Sequence, residues 1–302
     1  MRTLVRKNTQ KIDCGAWLKA KTGGRLIYWY PNPGNAGDHL IAAATDLLFR
    51  KNGIAFTVIN NEESFDSSGK VVCYGGGGNF VPNYRQARNF VIRHHENAAC
   101  LIILPHTIDG NEDVLLALDS NTTIICRDTT SFDHCQAASP KAEVLLADDL
   151  ALSLDYDGLL NWRIIPFAIA DVKTYLFMRQ IFRRFDQETR GCNELEVWRS
   201  DSERHPARVF EANHDISRMF ALNRGAHKLD QFKLSASFFL RAIDRFSRVR
   251  TDRLHVAIGA ALLGKTVELY SNSYFKNRAV YELSLASLAN VTFIDLSEVQ
   301  RH

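Results

Sequence analysis

An α/β fold in two successive units is what this sequence predicts. Short apolar, β-prone runs alternate with stretches of helical apolar spacing, the order that builds parallel sheets. Each run in the first half ends in Gly or polar residues rather than in more apolar ones, and the alternation breaks once, near residues 157–166, before it resumes. The 302 residues are enough for two domains, divided here as 1–160 and 161–302.

Residues 25–30 (RLIYWY) form the first strand, stopped by Pro31. A Gly-punctuated loop, PNPGNAGD, leads to a helix over 39–51, where Leu40, Ile41, Ala44, Leu47 and Leu48 recur at helical spacing and Gly53 ends the run. Residues 56–59 are the next strand. Residues 71–74 make a strand running into four glycines, Gly75 to Gly78, and then Asn79; a helix over 84–97 follows. The apolar strand 99–104 (ACLIIL) is stopped by Pro105-His106-Thr107. A helix over 112–118, a strand over 123–126 ending in Arg127-Asp128 and a strand over 144–147 ending in Asp148-Asp149 complete the unit. Ligands of open α/β sheets bind outside the C-terminal strand ends, so Asn35, Asp38, Gly75 to Asn79, His106 and Arg127 are expected to face one crevice.

In the second unit, residues 168–188 read as a helix with Phe177, Ile181, Phe182 and Phe185 on one side and Arg179, Arg183 and Arg184 more exposed. A core helix with a solvated basic face is the reading adopted; a helix lying on a membrane surface is the alternative. Residues 195–199 are a strand leading into RSDSE, residues 209–222 carry no clear pattern, and residues 235–248 are a helix. The stretch TDRLHVAIGAALLGK, 251–265, is the most informative of the chain. Thr251 and Asp252 are N-cap residue types, the residues after the first turn are almost all apolar, and Gly264 is a natural stop, so a short buried helix is predicted. Arg253 and His255 then share its first turn with unpaired backbone N–H groups, which makes an anion site. A strand over 266–270 follows and delivers Ser271, Asn272, Tyr274 and Lys276 towards the same place, and a last strand covers 291–294.

Composition narrows the function. Hydrophobic content of 46%, charged content of 24% and a net charge of +3 are ordinary for a globular protein and give no argument for nucleic acid, although arginines crowd the later half. The six cysteines form no C-x-x-C pair, so neither disulfides nor a zinc site is expected, and no metal is assigned. No run has signal-peptide character or reaches the roughly 18 apolar residues of a membrane span, so a reducing cytoplasmic setting is expected, with a peripheral contact at the inner membrane face kept open. PGNAGD is neither a dinucleotide fingerprint nor a P-loop, and there is no G-x-S-x-G or H-E-x-x-H motif. His94 and His95 are adjacent, cannot chelate one metal from a helix, and read as surface residues. What remains is a set of cationic and proton-transferring groups, Arg127, Arg253, His255 and Lys276, beside glycine loops whose backbone N–H groups are open to an anion. That set suits a small, highly charged donor.

These residues resemble a known family, the polysaccharide pyruvyl transferases, through PNPGNAGDHLI, YGGGGNF, the Arg127-Asp128 strand end and, most specifically, TDRLHVAIGAALLGK followed by NSYFKNRAVYE. The resemblance runs from about Tyr30 to Glu282. It implies two Rossmann-like domains facing a cleft, in the manner of GT-B glycosyltransferases. It implies an enzyme that uses phosphoenolpyruvate as co-substrate, with no cofactor, to place a cyclic pyruvate ketal on a sugar of a surface polysaccharide or its lipid-linked precursor. It assigns donor binding to Arg253, Leu254 and His255 and to the upstream Arg127, and His255 is the residue expected to transfer the proton. Gly76, Gly77, Asn79, Ser271, Asn272 and Lys276 are expected around the donor. Asn35, His106 and Asp201 are expected near the acceptor, His106 standing where the family pattern would have Gln. Asp38 or Asp201 would deprotonate or orient a sugar hydroxyl, or else simply cap a helix. Two other readings stand beside this one: a nucleotide-sugar glycosyltransferase of similar architecture, and a non-catalytic carbohydrate- or membrane-surface-binding protein.

Overall fold

The computed structural model describes residues 10–160, 169–206, 213–222 and 228–299. After a short helix α1 (Cys14–Thr22), capped by Asp13, strand β1 (Ile27–Tyr30) leads into helix α2 (Ala36–Lys51). The helix starts three residues earlier than apolar spacing predicts, because Asn35 and Asp38 form a capping box around its first turn. Then come β2 (Phe56–Val58), β3 (Val71–Tyr74), β4 (Gly77–Phe80), α3 (Gln86–His94), β5 (Cys100–Ile108), α4 (Glu112–Ala117), β6 (Thr122–Cys126), α5 (Thr129–Ala138) and β7 (Glu143–Leu146). Their strands form one seven-stranded parallel sheet in the order β2-β1-β3-β5-β6-β7, with β4 paired to β5.

Three predictions in this half are corrected. Strand β5 does not stop at Pro105 but runs through it to Ile108; the register shifts between Ile103 and His106, and a bulge is where a strand tolerates a residue without an N–H. That continuation lets the glycine run pair with it, so Gly77–Phe80 is strand β4 rather than loop, in register Gly77 to His106. His94 is not a surface residue. It is buried, edge-on to Phe65 and Phe90 with Glu62 at 3.5 Å.

A short 3₁₀ turn (Leu150–Ser153) and α6 (Tyr156–Leu160) precede α7 (Ile169–Glu188), β8 (Glu194–Val197), α8 (Ile216–Met219), α9 (Leu229–Asp244), β9 (Arg248–Thr251), α10 (Leu254–Leu262), β10 (Thr266–Tyr270), α11 (Lys276–Val280), a π turn (Tyr281–Leu285), β11 (Val291–Ile294) and α12 (Leu296–Val299). Four parallel strands form the second sheet, in the order β11-β10-β9-β8. The predicted linker falls on α6 and on residues 161–166, which lie outside the described residues. Helix α9 ends earlier than expected and releases Arg248–Thr251 as a strand. On α7 the buried face is Met178 and Phe185, continued by Thr189 just past its end, with Ile181 and Phe182 half-buried, so Phe177, one position off that face, is exposed; Arg179, Arg183 and Arg184 are exposed as expected. No described helix is long and apolar enough to cross a membrane.

One apolar core joins the two sheets. It runs from Trp29, Leu40 and Phe49 through Phe239, Leu240 and Ile243 of α9 to Val256 and Ile258 of α10. Helices α2 and α9 are further tied by a buried His39 Nδ1 to Ser235 Oγ contact of 2.6 Å and by Lys233 to Asp46 at 2.5 Å. Gly259 lets α10 sit close on α9: a Cβ there would come within 3.2 Å of Leu240 Cδ2 and Ile243 Cδ1. Five cysteines are buried free thiols and Cys192 is exposed.

Because this core is continuous, Leu240→Ala is expected to cost about 2–5 kcal/mol and to lower the stability of both sheets together. Chemical denaturation of variants keeping only Trp29 or only Trp198 as fluorophore checks this; the two midpoints should shift in step, and separate transitions would refute the shared core.

Candidate functional site

Strand β4 feeds the site with its own residues Gly78 and Asn79, and the other strands that feed it do so from their C-terminal ends. Beyond β1 lie Asn32 to Asn35 and the start of α2, beyond β6 Arg127, beyond β7 Asp149, beyond β8 Arg199 and Glu203, beyond β9 His255, and beyond β10 Lys276. A cavity of about 220 Å³ opens among them, with walls from residues of both sheets. Asn35, Asp38, Gly78, Asn79 and Arg127 come from the first part of the chain, and Arg199, Glu203, Leu254, His255 and Lys276 from the second. At that volume it is smaller than the range of roughly 300–1,000 Å³ that drug-sized ligands occupy.

Its floor is a buried ion pair. Arg127 is 1% exposed; its Nη1 donates to Asp149 Oδ2 at 2.7 Å and its Nε to Thr107 Oγ1 at 2.9 Å, while Thr107 in turn donates to Asp128, the N-cap of α5. Nη2 lies against Gly78, where a Cβ would sit 2.7 Å from it, and makes no hydrogen bond among the described residues. Burial alone would raise the Asp149 carboxyl, but the Arg127 charge and the neighbouring His255 hold it well below the usual carboxylate range. His255 Nε2 is 3.4 Å from both Arg127 Nη1 and Asp149 Oδ2. That one nitrogen donates to Asp149 when it carries a hydrogen and accepts from Arg127 when it does not. Gly37, in the first turn of α2, packs flat on this ring: a Cβ there would fall 2.7 Å from His255 Nδ1.

A second cluster faces it. Lys276 Nζ pairs with Glu203, which also takes Arg199 Nη2 at 2.6 Å and lies 3.4 Å from the Tyr274 hydroxyl. Burial brings the Lys276 ammonium down to about 8, with Glu203 opposing the shift and Arg199 and Arg127 adding to it. Burial also raises the Asp38 carboxyl, whose Oδ2 accepts from Asn35 N at 2.8 Å and whose Oδ1 accepts from Asn32 Nδ2 at 3.1 Å. Asp38 thus caps α2 and also stands at the cavity wall.

Several expected site residues stand elsewhere. Arg253 is the N-cap of α10 and is buried, but its guanidinium points to carboxylates: Nη1 donates to Asp201 Oδ2 at 2.9 Å, Nε to Asp215 Oδ1 at 3.1 Å, and Nη2 pairs with Asp215 as well. It does not line the cavity, and neither does Asp201, which is shared between Arg253 and Arg199. A buried guanidinium with two carboxylates in reach pairs with them. Asp252 is no cap either; its Oδ1 accepts from Arg199 N at 2.8 Å and burial pushes its carboxyl up to about 6. Ser271 and Asn272 serve the backbone, accepting from Leu296 N and Asn277 N, and also lie outside the lining. Gly76 packs on the Pro105 carbonyl, Gly77 has a φ of +147° that L side chains rarely adopt, and neither lines the cavity. His106 sits behind Asn79: its Nε2 is 3.2 Å from Asn79 N and 3.0 Å from Asn79 Oδ1. The amide that follows the glycine run, that of Asn79, is therefore taken by an imidazole rather than open to an anion. Burial, with Arg127 nearby, brings His106 down to about 3, so it is neutral at physiological pH.

Sequence reasoning missed Asn32, Gly34, Tyr84, Arg85, Gln86, Arg199 and Glu203 of the lining. Arg199 and Glu203 carried a signal, the charged run RSDSE at a strand end; Tyr84 to Gln86 carried none beyond following the glycines. Among the described residues no group of three or more His, Cys, Asp or Glu is placed to hold a metal ion.

The chain is similar to known proteins both in sequence and in fold. Residues 35–274 match the family model described as "Polysaccharide pyruvyl transferase". The chain is 25% identical over 279 residues to a Bacillus subtilis (strain 168) protein named "Putative pyruvyl transferase EpsO", covering 82% of this chain and 81% of that one. It is also similar to a crystal structure of a functionally uncharacterized protein from Klebsiella pneumoniae subsp. pneumoniae NTUH-K2044, with a TM-score of 0.74 and 28% identity over 93% of this chain and 96% of that one.

The Arg127 to Asp149 pair yields a stability test. Replacing Asp149 by Asn leaves a buried guanidinium without its counter-charge and is expected to cost about 3–5 kcal/mol at neutral pH. Because the folded carboxyl titrates below its ordinary value of about 3.9, its contribution is full above that value and is lost as pH falls. The stability gap between the wild type and Asp149→Asn, measured by urea denaturation, should therefore close as pH falls below about 4; a gap that does not change with pH would refute the pairing.

Proposed function

The chain belongs to the polysaccharide pyruvyl transferase family, and from that premise we propose that it transfers the pyruvyl group of phosphoenolpyruvate to two hydroxyls of one sugar in a surface polysaccharide or its lipid-linked precursor, closing a cyclic ketal. The observation that carries this reading is the cavity of about 220 Å³ in which Arg127, Arg199, Lys276 and His255 converge from both sheets. A donor with a phosphate and a carboxylate needs several cations in a small volume, and guanidinium forks suit both groups. We read the two parallel sheets, divided at residues 160 and 161, as Rossmann-like units in the GT-B manner with this cavity between them. A cytoplasmic setting is part of the same proposal.

In the proposed reaction one sugar hydroxyl adds to C2 of the donor as C3 takes up a proton. Phosphate then leaves C2, and the second hydroxyl bonds to the same carbon, its proton balancing the departing phosphate. His255 is proposed to carry the proton to C3, with Asp149 and Arg127 holding its ring between an acceptor and a donor. The nearby cations stabilise the leaving phosphate. Asp38, the carboxyl that burial raises at the cavity wall, is proposed to receive the hydroxyl proton. Arg253, to which the family resemblance assigns donor contact, is committed to Asp201 and Asp215, so contact through it requires one of those pairs to open.

Incubation with phosphoenolpyruvate and galactosides, glucosides or N-acetylhexosaminides is expected to release phosphate in step with a gain in acceptor mass. His255→Ala should reduce the rate by about 10²–10⁴ while keeping the fold, whereas Arg183→Ala on the solvated face of α7 should leave it unchanged. A non-catalytic, surface-binding protein would show the reverse sensitivity.

Lys276 gives the pH dependence. The ammonium that holds donor charge is lost as pH rises through about 8, so kcat/KM for the donor should fall above that pH. Lys276→Arg, which stays charged, should flatten that limb; an unchanged alkaline limb in the arginine variant would remove Lys276 from the donor site.

A further inference from the structure

A second cavity, of about 440 Å³, opens beside the first and shares Gln86 with it. It lies at the C-terminal ends of β1 and β2, the same edge of the seven-stranded sheet that supplies half of the first cavity. Tyr30, Pro33 and Phe232 give it an apolar wall. Tyr30 is braced from behind by Phe90, stacked at 5.3 Å, so its ring is held rather than free to swing. The opposite side is polar: Asn60, Asn61, Glu62 and Glu63 follow one another along the loop after β2.

The charge of this second space is opposite in sign to that of the first. No Lys, Arg or His is among the described residues lining it. Glu62 is paired with Arg93 and lies 3.5 Å from His94, so its charge is largely met from behind. Glu63 is exposed and has no cation in ion-pair reach among the described residues. A carboxylate accepts from two hydroxyls at once, and a carboxamide both donates and accepts, so such a row recognises a hydroxyl-rich ligand. An anion entering there would meet Glu63 without a counter-charge. A small apolar wall facing a few convergent polar groups is the usual make-up of a site that orients one neutral molecule.

We propose that this second cavity is the saccharide acceptor subsite and that it selects an uncharged hexose or N-acetylhexosamine over a uronic acid. The inference rests on the pyruvyl-transfer reading, because it makes the two cavities one reaction space: the anionic donor in the cationic cavity, the neutral acceptor in the acidic one, and Gln86 at the passage where the sugar hydroxyls reach the donor carbon. The sign of each cavity keeps the other substrate out, which is specificity obtained by repulsion as well as by attraction.

Saccharide binding can be measured without any donor. Saturation-transfer NMR of the wild-type protein with methyl β-galactoside, methyl β-glucoside, methyl N-acetyl-β-glucosaminide and methyl β-glucuronide should give signals for at least one neutral glycoside and a much weaker one for the glucuronide. Asn61→Ala should weaken the neutral glycoside about tenfold, and Glu63→Lys should weaken it while raising the glucuronide signal. In both variants the thermal shift caused by phosphoenolpyruvate should equal that of the wild type. The subsite is overturned if no neutral glycoside binds, if the glucuronide binds as well as the neutral sugars, or if neither variant changes binding. If the glycosides behave as stated but phosphoenolpyruvate produces no thermal shift in the wild type, the donor reading fails and the saccharide subsite stands by itself.

Discussion

The buried contact between Arg127 and Asp149 is the constraint on which the site depends. Both side chains are 1% exposed, and neither charge is tolerable there without the other. The pair joins the ends of β6 and β7, and its free edge is where His255 arrives from α10, 128 residues later than Arg127. A histidine brought to a surface by a helix N-terminus would be only a solvated cap. Set 3.4 Å from a fixed cation and a fixed anion, with Gly37 against its ring, it has a defined place and a partner in either protonation state. The glycines around it follow from the same packing: Gly78 is small because Arg127 Nη2 is there, and Gly75 because a Cβ would sit 2.5 Å from Asn32 N.

Much of the architecture was legible because it rests on apolar spacing and on punctuation. The helix Leu254–Leu262 and its stop at Gly264, with φ at +72°, follow directly from an apolar run closed by glycine. What periodicity missed has specific physical causes. Strand β9 alternates charged and buried residues, and its outward arginines are met across the sheet: Arg250 by Glu196 at 2.7 Å and Glu268 at 3.0 Å, and Arg248 by Glu194 at 3.3 Å. A strand held by a cross-strand charge ladder looks, in one dimension, like the polar end of the preceding helix. Strand β5 was cut short at Pro105 because a lone proline reads as a breaker, and only the partner strands reveal the bulge that admits it.

The candidate site divides along the same line. Arg127 and His255 were found because a strand end and a helix start are visible in sequence. Arg253 looked equivalent to them but is placed differently, since its environment is set by Asp201 and Asp215, residues 52 and 38 positions away. Sequence proximity placed two cations in one turn; tertiary structure gave one of them to the cavity and the other to a pair of carboxylates.

The consequence is a site in which the cations are held but their donors are not used up. Lys276 and Arg199 share the carboxylate of Glu203, Arg199 also pairs with Asp201, and Arg127, held by Asp149 and Thr107, keeps Nη2 free of any hydrogen bond among the described residues. An ammonium has three N–H donors and Glu203 is its hydrogen-bond partner among the described residues, so Lys276 and Arg127 Nη2 leave a surplus of donors, though not of charges, beside a space of about 220 Å³. The internal carboxylates keep those cations in place before any ligand arrives, so an entering dianion meets positioned partners instead of having to order them. The same carboxylates set a limit on what can bind. A weakly charged molecule cannot compete with Glu203 and Asp149 for these cations, whereas a ligand carrying both a phosphate and a carboxylate can engage the surplus without displacing either.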